Sequence, residues 1–203
     1  ERRGVDGLLL ATDGVEDSYH IARGPRHELY NAQYRKPEPL IERKDVVAIP
    51  ERLQYDGSVL VPLDEEAVRR SAKRVREENY GAVAVAYLFS YKNPDHELRT
   101  REILLEELGE GFTVSLSHEA AKEWREYERT SSAVVEAYTG PVVRNYLLDL
   151  EAKLEDRGVD VPLHIMQSSG GILTAKSARE RPLQTLLSGP VGGAIGGGKL
   201  TES

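Results

Sequence analysis

Short runs of apolar residues alternate with amphipathic segments along most of the chain. The segment Ala82–Phe89 is apolar at every position. A strand with one solvated face would alternate apolar and polar residues, so this run predicts a central parallel strand that is covered on both faces. Further strands are predicted at 46–49, 113–116 and 162–166. Because helical segments separate the strands, the pattern predicts an α/β fold with a mostly parallel sheet and flanking helices.

Three amphipathic segments have helical spacing and recognisable ends. Asp64 is placed to cap the first of them. The second opens at Asn93 and ends at Gly109, a residue type that favours helix termini. The third runs over about 119–157, and we expect Pro141 to split or kink it, because proline lacks the backbone N–H that a helix interior uses.

Two segments depart from this alternation. Asp56–Gly57 separates the apolar runs Leu53–Tyr55 and Val59–Val61, which predicts a β-hairpin with a type I′ turn. Residues 1–43 are the least regular part, with a possible short helix over 15–23. Prolines at positions 25, 37 and 39 then predict an extended segment without regular secondary structure.

Composition restricts the chemistry. Of 203 residues, 39% are hydrophobic and 30% are charged, with a net charge of −7. An acidic balance argues against nucleic acid or an anionic membrane as the partner. The chain has no cysteine, which excludes disulfides, thiolate metal sites and a cysteine nucleophile and fits a cytoplasmic location. No apolar run approaches the ~20 residues that span a bilayer. The five histidines show no metal-type spacing, so we expect no metal site.

The end of the chain is unusually rich in glycine between Gly192 and Gly198. Gly193, four intervening residues, Gly198 and Lys199 match the first part of a phosphate-binding P-loop. The next residue is Leu200, however, where that motif needs a Ser or Thr to hold Mg²⁺. A helix of small residues packed closely against a neighbour is the favoured interpretation, and backbone contact with a ligand is the alternative.

A polar segment, Gln167–Gly171, follows a predicted strand. Ligands of open α/β sheets bind just beyond the carboxyl ends of strands, and the amides of two glycines suit an anion or a carbonyl oxygen. The alternative is a simple polar turn before Ile172. From the residues alone, both interpretations stay open.

The segment Glu123–Thr130 concentrates charge around Trp124, the chain's one tryptophan. Arg125 and Arg129 are four residues apart, so on a helix they would lie together and grip a carboxylate or a phosphate. Such a run is more often a solvated helix face with internal ion pairs.

Several of these motifs, taken in order, strongly resemble the A subunit of the hydantoinase/oxoprolinase family. The resemblance covers nearly the whole chain, which makes chance a poor explanation. The stretches that carry it are 35–41, 60–65, 89–94, 115–119, 124–131, 137–142, 165–171 and 187–193.

The resemblance implies a lobe of the actin/Hsp70/sugar-kinase (ribonuclease H-like) type. It implies an enzyme that uses ATP and Mg²⁺ to open a small cyclic amide by phosphoryl transfer to the amide oxygen. A hydantoinase B-type subunit or domain would be the partner, within an oligomer. Residues 1–180 would form the N-terminal region, and 181–203 would begin the next domain.

The implied substrate-binding residues are Gln167, Ser168, Ser169, Gly170 and Gly171, with Arg125, Glu126 and Arg129 as weaker candidates. Gly189, Gly192 and Gly193 would lead toward a cofactor-binding phosphate loop. No catalytic residue is assigned.

The sequence differs from the family pattern in ways that affect the activity expected of the chain by itself. The two Asp-x-Gly-Gly-Thr loops of the family do not occur in it, so we expect an internal fragment that is inactive alone and holds no cofactor. Ser169 stands where the family usually has Asn, which is a mild variation. Two alternatives remain, namely the ATP-activating subunit of an acetone- or acetophenone-type carboxylase and a non-catalytic actin-like binding module.

Overall fold

A computed structural model describes residues 3–23, 30–159 and 161–201. They form two compact units. The first, here called the sheet unit, is Val5–Tyr138. The second, here called the hairpin unit, consists chiefly of residues 139–201. Of the predicted extended segment, Pro25 lies outside the described residues, whereas Pro37 and Pro39 lie in a segment without helix or strand.

The sheet unit alternates strands and helices as the sequence predicts. A single 3₁₀ turn over Arg43–Asp45 precedes the second strand. In chain order its elements are β1 (Gly7–Thr12), α1 (Ser18–Ile21), β2 (Val46–Ile49), β3 (Arg52–Leu53), β4 (Val59–Val61), α2 (Glu65–Glu77), β5 (Ala82–Ala86), α3 (Asp95–Leu108), β6 (Thr113–Leu116), α4 (Ser117–Ala120) and the first part of α5 (Glu126–Glu155).

Four strands form one parallel sheet in the order β2-β1-β5-β6. Strand β5 is fully buried and lies in the interior of the sheet, which confirms the predicted central strand. The strand ends at Ala86, however, and residues 87–89 of the apolar run lie outside it. Its valines, Val83 and Val85, pack in a cluster with residues of α2 and α3. Its alanines face the opposite side and share a cluster with Ala133 and Ala137 of α5. Small residues on both partners let that helix approach the sheet closely.

The predicted hairpin forms, but its turn differs from the prediction. Strands β3 and β4 pair antiparallel. Gly57 has a φ of +91°, whereas Asp56 is not among the described residues with positive φ. A type I′ turn needs positive φ at both central positions, so this is a longer turn. It is closed by hydrogen bonds from Gly57 N to Gln54 O and from Gln54 N to Ser58 O, both 2.9 Å.

The long helical segment also differs from its prediction. Residues 121–125 are not helical, and α5 starts only at Glu126. Pro141 lies inside α5, and the helix runs through it without a break. The proline removes one backbone donor, while the turns on either side keep their own hydrogen bonds. Beyond α5, Gly158 has the positive φ, +73°, that closes the run.

The hairpin unit contains the later part of α5 and a two-stranded antiparallel sheet. Its further elements are β7 (His164–Met166), β8 (Ile172–Thr174), α6 (Ala175–Glu180), a 3₁₀ turn at Pro182–Thr185 and α7 (Ser188–Thr201). Thr174 caps α6 by accepting a hydrogen bond from Ser177 N at 3.2 Å. No helix of the described residues is long and apolar enough to cross a membrane.

Candidate functional site

Polar side chains gather beyond the carboxyl ends of the parallel strands in the sheet unit. Thr12 ends β1, and its hydroxyl donates to Glu51 Oε1 while accepting from Leu88 N at 2.9 Å. The other oxygen of Glu51 lies 2.7 Å from His96 Nδ1. Glu51 is 2% exposed, so its charge is held inside the protein by these partners, as burial of a carboxylate requires.

A second buried carboxylate, Glu97, anchors the neighbouring strands. It accepts hydrogen bonds from Tyr87 N at 2.9 Å, from the Ser117 hydroxyl at 2.5 Å and from His118 N at 3.1 Å. The imidazole Nδ1 of His118 lies 2.6 Å from its second oxygen. Glu97 therefore joins the end of β5, the start of α4 and helix α3 through one charged group.

Arg129 is buried beside this carboxylate. Its guanidinium donates to Ser117 Oγ at 3.0 Å, to Tyr87 O at 2.7 Å and to Glu123 O at 3.3 Å. Burial lowers the pKa of Arg129 from its ordinary value. Arg129 thus lies neither on a solvated helix face nor in a pair with Arg125, and three of its nitrogens hold protein acceptors in place.

Arg125 and Glu126 have different surroundings. Arg125 precedes α5, is exposed, and stacks over the exposed Trp124 with 5.0 Å between guanidinium and ring centre. Glu126 is the first residue of α5 and lines a small pocket with Glu16 and Arg129. Arg129 N donates to Arg125 O at 3.1 Å, so the two residues lie one helical turn apart. The Arg129 side chain is nevertheless buried while that of Arg125 is exposed, so the two guanidinium groups do not form a joint site for an anion.

In the hairpin unit, Gln167–Gly171 forms the turn between β7 and β8. Gln167 N donates to Gly171 O at 2.7 Å, and Gly170 N donates to Gln167 O at 3.1 Å. Gly170 has a φ of +87°, and a Cβ on Gly171 would lie 2.5 Å from Gln167 Oε1. The segment is therefore an antiparallel turn. The argument from the carboxyl ends of parallel strands, used to predict a site here, does not apply to it.

A solvent-open pocket lies beside this turn. It is lined by Gln167, Ser168, Ser169, Leu183 and Gln184. Ser168 N donates to Gln184 O at 2.8 Å, and the single hydroxyl proton of Ser168 has two acceptors within reach, Gln184 O at 2.9 Å and Leu186 O. The Gln167 side-chain amide donates to Gln184 Oε1 at 3.1 Å. Three of the predicted site residues thus line one pocket with a glutamine that the sequence did not single out.

The glycine run is helical. Helix α7 covers Gly189, Gly192 and Gly193, so the backbone here does not form a phosphate loop. A Cβ on Gly192 would lie 2.8 Å from Met166 Sδ, whereas one on Gly189 or Gly193 would meet nothing within 4 Å. The favoured interpretation, a helix of small residues, therefore holds, but the close approach is confined to Gly192 among these three.

Neither Gln184 nor the two buried glutamates were identified from the sequence. The sequence does contain an indication for Glu97, because its spacing from Thr100 and Leu104 places the three residues on one face of a helix. The structure buries all three. The sequence contains no such indication for Gln184, because a single glutamine in a short polar segment forms no recognisable pattern. No group of three potential metal-binding side chains occurs in the described part of the chain.

Comparison with models of known protein families shows to which family the chain belongs. The model described as hydantoinase/oxoprolinase N-terminal region matches residues 1–108, and the model described as hydantoinase/oxoprolinase matches residues 129–203. The chain belongs to the hydantoinase/oxoprolinase family. This assignment confirms the resemblance that the sequence motifs indicated.

Two relatives of this chain are named for different reactions. The caprolactamase subunit alpha of Pseudomonas jessenii is 37% identical over 192 residues, which are 94% of this chain and 27% of that protein. The acetophenone carboxylase gamma subunit of Aromatoleum aromaticum is 36% identical over 208 residues, which are 97% of this chain and 28% of that protein. The chain spans about a quarter of the length of these relatives.

Two solved structures share the fold. The ATP-dependent caprolactamase from Pseudomonas jessenii has a TM-score of 0.85 at 36% identity, covering 93% of this chain and 27% of that one. A nucleotide-free acetone carboxylase has a TM-score of 0.84 at 28% identity, covering 99% of this chain and 30% of that one. Together with the parallel sheet, they confirm the predicted fold class. The relatives thus include an ATP-dependent caprolactamase and an acetone carboxylase whose carboxylation depends on ATP.

Proposed function

We propose that the full-length protein containing this chain is an ATP-dependent hydrolase that opens a small cyclic amide, of the 5-oxoproline or N-methylhydantoin type. The observation that carries the proposal is the pocket beside the β7–β8 turn. Among the residues that the structure describes, its polar lining consists of carboxamides and hydroxyls, without a charged side chain. Such groups complement a neutral amide. The ATP-dependent caprolactamase among its relatives supports the same chemistry.

In this proposal Gln167, Ser168, Ser169, Gly170 and Gly171 line the substrate cleft. Ser168 and Gln167 contact the pocket directly, and the two glycines permit the turn that positions them. Gly170 and Gly171 therefore act through the shape of the backbone.

Arg125, Glu126 and Arg129 are secondary candidates in the sheet unit. Arg129 would act by fixing the non-helical segment before α5, since it holds the carbonyl of Glu123. Arg125 and Glu126 are the members of this group with accessible charge.

ATP would supply the phosphoryl group that activates the amide oxygen in the full-length protein, with Mg²⁺ to neutralise its phosphates. The glycine-rich segment does not fit a phosphate loop, because it is helical. We assign no ATP contact to it beyond the proposal that Gly189, Gly192 and Gly193 lead toward such a loop. The domain division at 180/181 and a cytoplasmic location belong to the same proposal.

A partner subunit is part of the proposal. Both curated relatives described above are named as subunits of an enzyme. A hydantoinase B-type subunit or domain would complete the enzyme. The 203-residue chain alone is expected neither to hydrolyse ATP nor to open 5-oxoproline.

The alternative function is the ATP-activating subunit of a ketone carboxylase. Its support is the 36% identity to the acetophenone carboxylase gamma subunit, which nearly equals the identity to the caprolactamase.

The deciding experiment uses the full-length protein with its partner subunit. Release of ADP is measured with 5-oxoproline, N-methylhydantoin or caprolactam, and separately with acetone or acetophenone plus bicarbonate. Stimulation by a cyclic amide, with ring-opened product and no need for bicarbonate, supports the hydrolase. Stimulation only by a ketone with bicarbonate supports the carboxylase. No stimulation by either class would favour a binding module.

A further inference from the structure

Gln184 is held from two sides in the hairpin unit. Its backbone carbonyl accepts a hydrogen bond from Ser168 N, and it shares the hydroxyl proton of Ser168 with Leu186 O. Its side-chain oxygen accepts from Gln167 Nε2 at 3.1 Å. A side chain clamped in this way loses little further conformational freedom when a ligand binds, which favours recognition.

In the structure the Oε1 end of the Gln184 carboxamide faces Gln167. The Ser169 hydroxyl donates to Gln167 Oε1 at 3.3 Å, and Gln167 in turn donates from Nε2 to Gln184 Oε1. Gln184 Oε1 keeps a second lone pair, and its Nε2 keeps two N–H donors. Among the described residues, Gln184 Nε2 has no hydrogen-bond partner, and the side chain lines the open pocket.

A carboxamide with a free donor and a free acceptor, like that of Gln184, pairs with a particular kind of hydrogen-bonding group. It presents one donor and one acceptor side by side, and it pairs in two parallel hydrogen bonds with a group that presents the opposite pair, as glutamine does with an adenine edge. In a small ring the amide bond is forced to be cis, so that its N–H and C=O lie on the same edge. An open-chain secondary amide is trans, and its N–H and C=O point in opposite directions.

We infer that Gln184 recognises the cis-amide edge of the substrate ring. Its Nε2 donates to the ring carbonyl, and its Oε1 accepts from the ring N–H while keeping the hydrogen bond from Gln167. Gln184 thereby makes the pocket specific for cyclic over open-chain amides, with Gln167 as the residue that positions it. This inference rests on the proposed function.

The test compares binding and turnover in the full-length protein with its partner subunit. Binding of caprolactam and of 5-oxoproline is measured by titration calorimetry without ATP, and KM and kcat are measured with ATP. The variants are Gln184→Glu, which keeps the shape but removes the N–H donors, and Gln184→Leu, which removes both functions. Gln54→Glu is the matched control, because Gln54 is exposed at the β3–β4 turn of the sheet unit. Open-chain N-methylacetamide serves as the trans-amide probe.

Gln184→Leu loses both hydrogen bonds to the ring. Gln184→Glu loses the one donated to the ring carbonyl and places a carboxylate oxygen against that carbonyl. Either change should weaken ring binding and raise KM roughly tenfold or more, with a much smaller change in kcat. Gln54→Glu should match the wild type, and N-methylacetamide should bind weakly to all proteins. If cyclic amides stimulate ATP turnover but Gln184→Glu leaves their KM and affinity unchanged, the inference is overturned while the proposed function stands. A fall in kcat at constant KM would also overturn it. If no cyclic amide stimulates turnover in the wild type, the proposed function itself fails.

Gln167→Glu provides the second variant if Gln184→Leu does not fold. It removes the donor that orients Gln184 and should raise KM for the ring in the same direction. An unchanged KM in this variant would overturn the positioning role of Gln167.

Discussion

Arg129 and Glu97, two buried residues of opposite charge, are connected through one hydroxyl. The Arg129 guanidinium donates to Ser117 Oγ at 3.0 Å, and that hydroxyl donates to Glu97 at 2.5 Å. Both charged residues also bind the backbone of Tyr87, just beyond β5. The end of the central strand, the start of α4 and the start of α5 are thus fixed by one charged network, in which each group depends on the others.

Removal of Arg129 is expected to destabilise the chain strongly. Arg129→Ala leaves the Glu97 carboxylate buried without its cationic neighbour, and such a change costs about 3–5 kcal/mol. Arg129→Lys should fall between the wild type and Arg129→Ala, because an ammonium group cannot reach the same three acceptors. Urea unfolding of the 203-residue chain measures the loss. Arg125→Ala is the control, and it should change the free energy of unfolding by less than about 0.5 kcal/mol.

Neutralisation of Glu97 should also be costly. Glu97→Gln places an NH₂ group among the N–H and O–H donors that now point at the carboxylate, and we expect a loss of roughly 2–3 kcal/mol. Glu102→Gln on the same helix is the control, because the Glu102 side chain is 63% exposed. In a double-mutant cycle, Glu97→Gln and Arg129→Ala together should cost less than the sum of the single changes. Additive losses would show that the two groups act independently.

Two neighbouring glycines of α7 should respond differently to alanine. Gly193→Ala fills open space and should stabilise the helix by up to about 1 kcal/mol. Gly192→Ala places its Cβ 2.8 Å from Met166 Sδ, so it should be roughly 1–3 kcal/mol less stable than Gly193→Ala. Thermal unfolding of both variants measures the difference. Equal midpoints would contradict the close contact, and Met166→Ala should rescue Gly192→Ala if the contact is the cause.

Stability should fall in acid because surface glutamates are paired with arginines. Hydrogen bonds from Arg99 lower the pKa of Glu65, and those from Arg76 and Arg69 lower the pKa of Glu107, both from an ordinary value of 4.5. A carboxyl with a lowered folded-state pKa contributes stability above its unfolded-state pKa, and this contribution is lost as the pH falls through the folded-state value. The urea midpoint should therefore decline below about pH 4.5.

The Glu107→Gln variant isolates one of these contributions. It should lower the midpoint at pH 7 and leave a shallower decline in acid. Added salt should shrink the difference between variant and wild type at pH 7, because exposed ion pairs are screened. A decline of the same steepness in both proteins would assign the acid sensitivity to other groups.

The sequence by itself determined the α/β class, the interior strand and the family. These features depend on local patterns: the unbroken apolar run at 82–89, the Asp64 cap, which accepts from Ala67 N at 2.9 Å, and ordered motifs. Each can be recognised without knowing which distant residues meet.

Only the tertiary structure decided the burial of Arg129, the late start of α5 and the position of Gln184. The charged run at 123–130 favoured a solvated helix face. Instead, Arg129 is buried near Glu97, 32 positions earlier, which offsets part of the cost of taking the guanidinium out of water. Its Nη1 donates to Glu123 O at 3.3 Å in the non-helical segment before α5. Gln184 reaches the pocket because a turn 17 residues away binds it. Hydrogen bonds between polar groups that are far apart in the chain produce no repeating pattern in the sequence. Burial of one face of a helix or strand does, because apolar residues then recur at regular spacing.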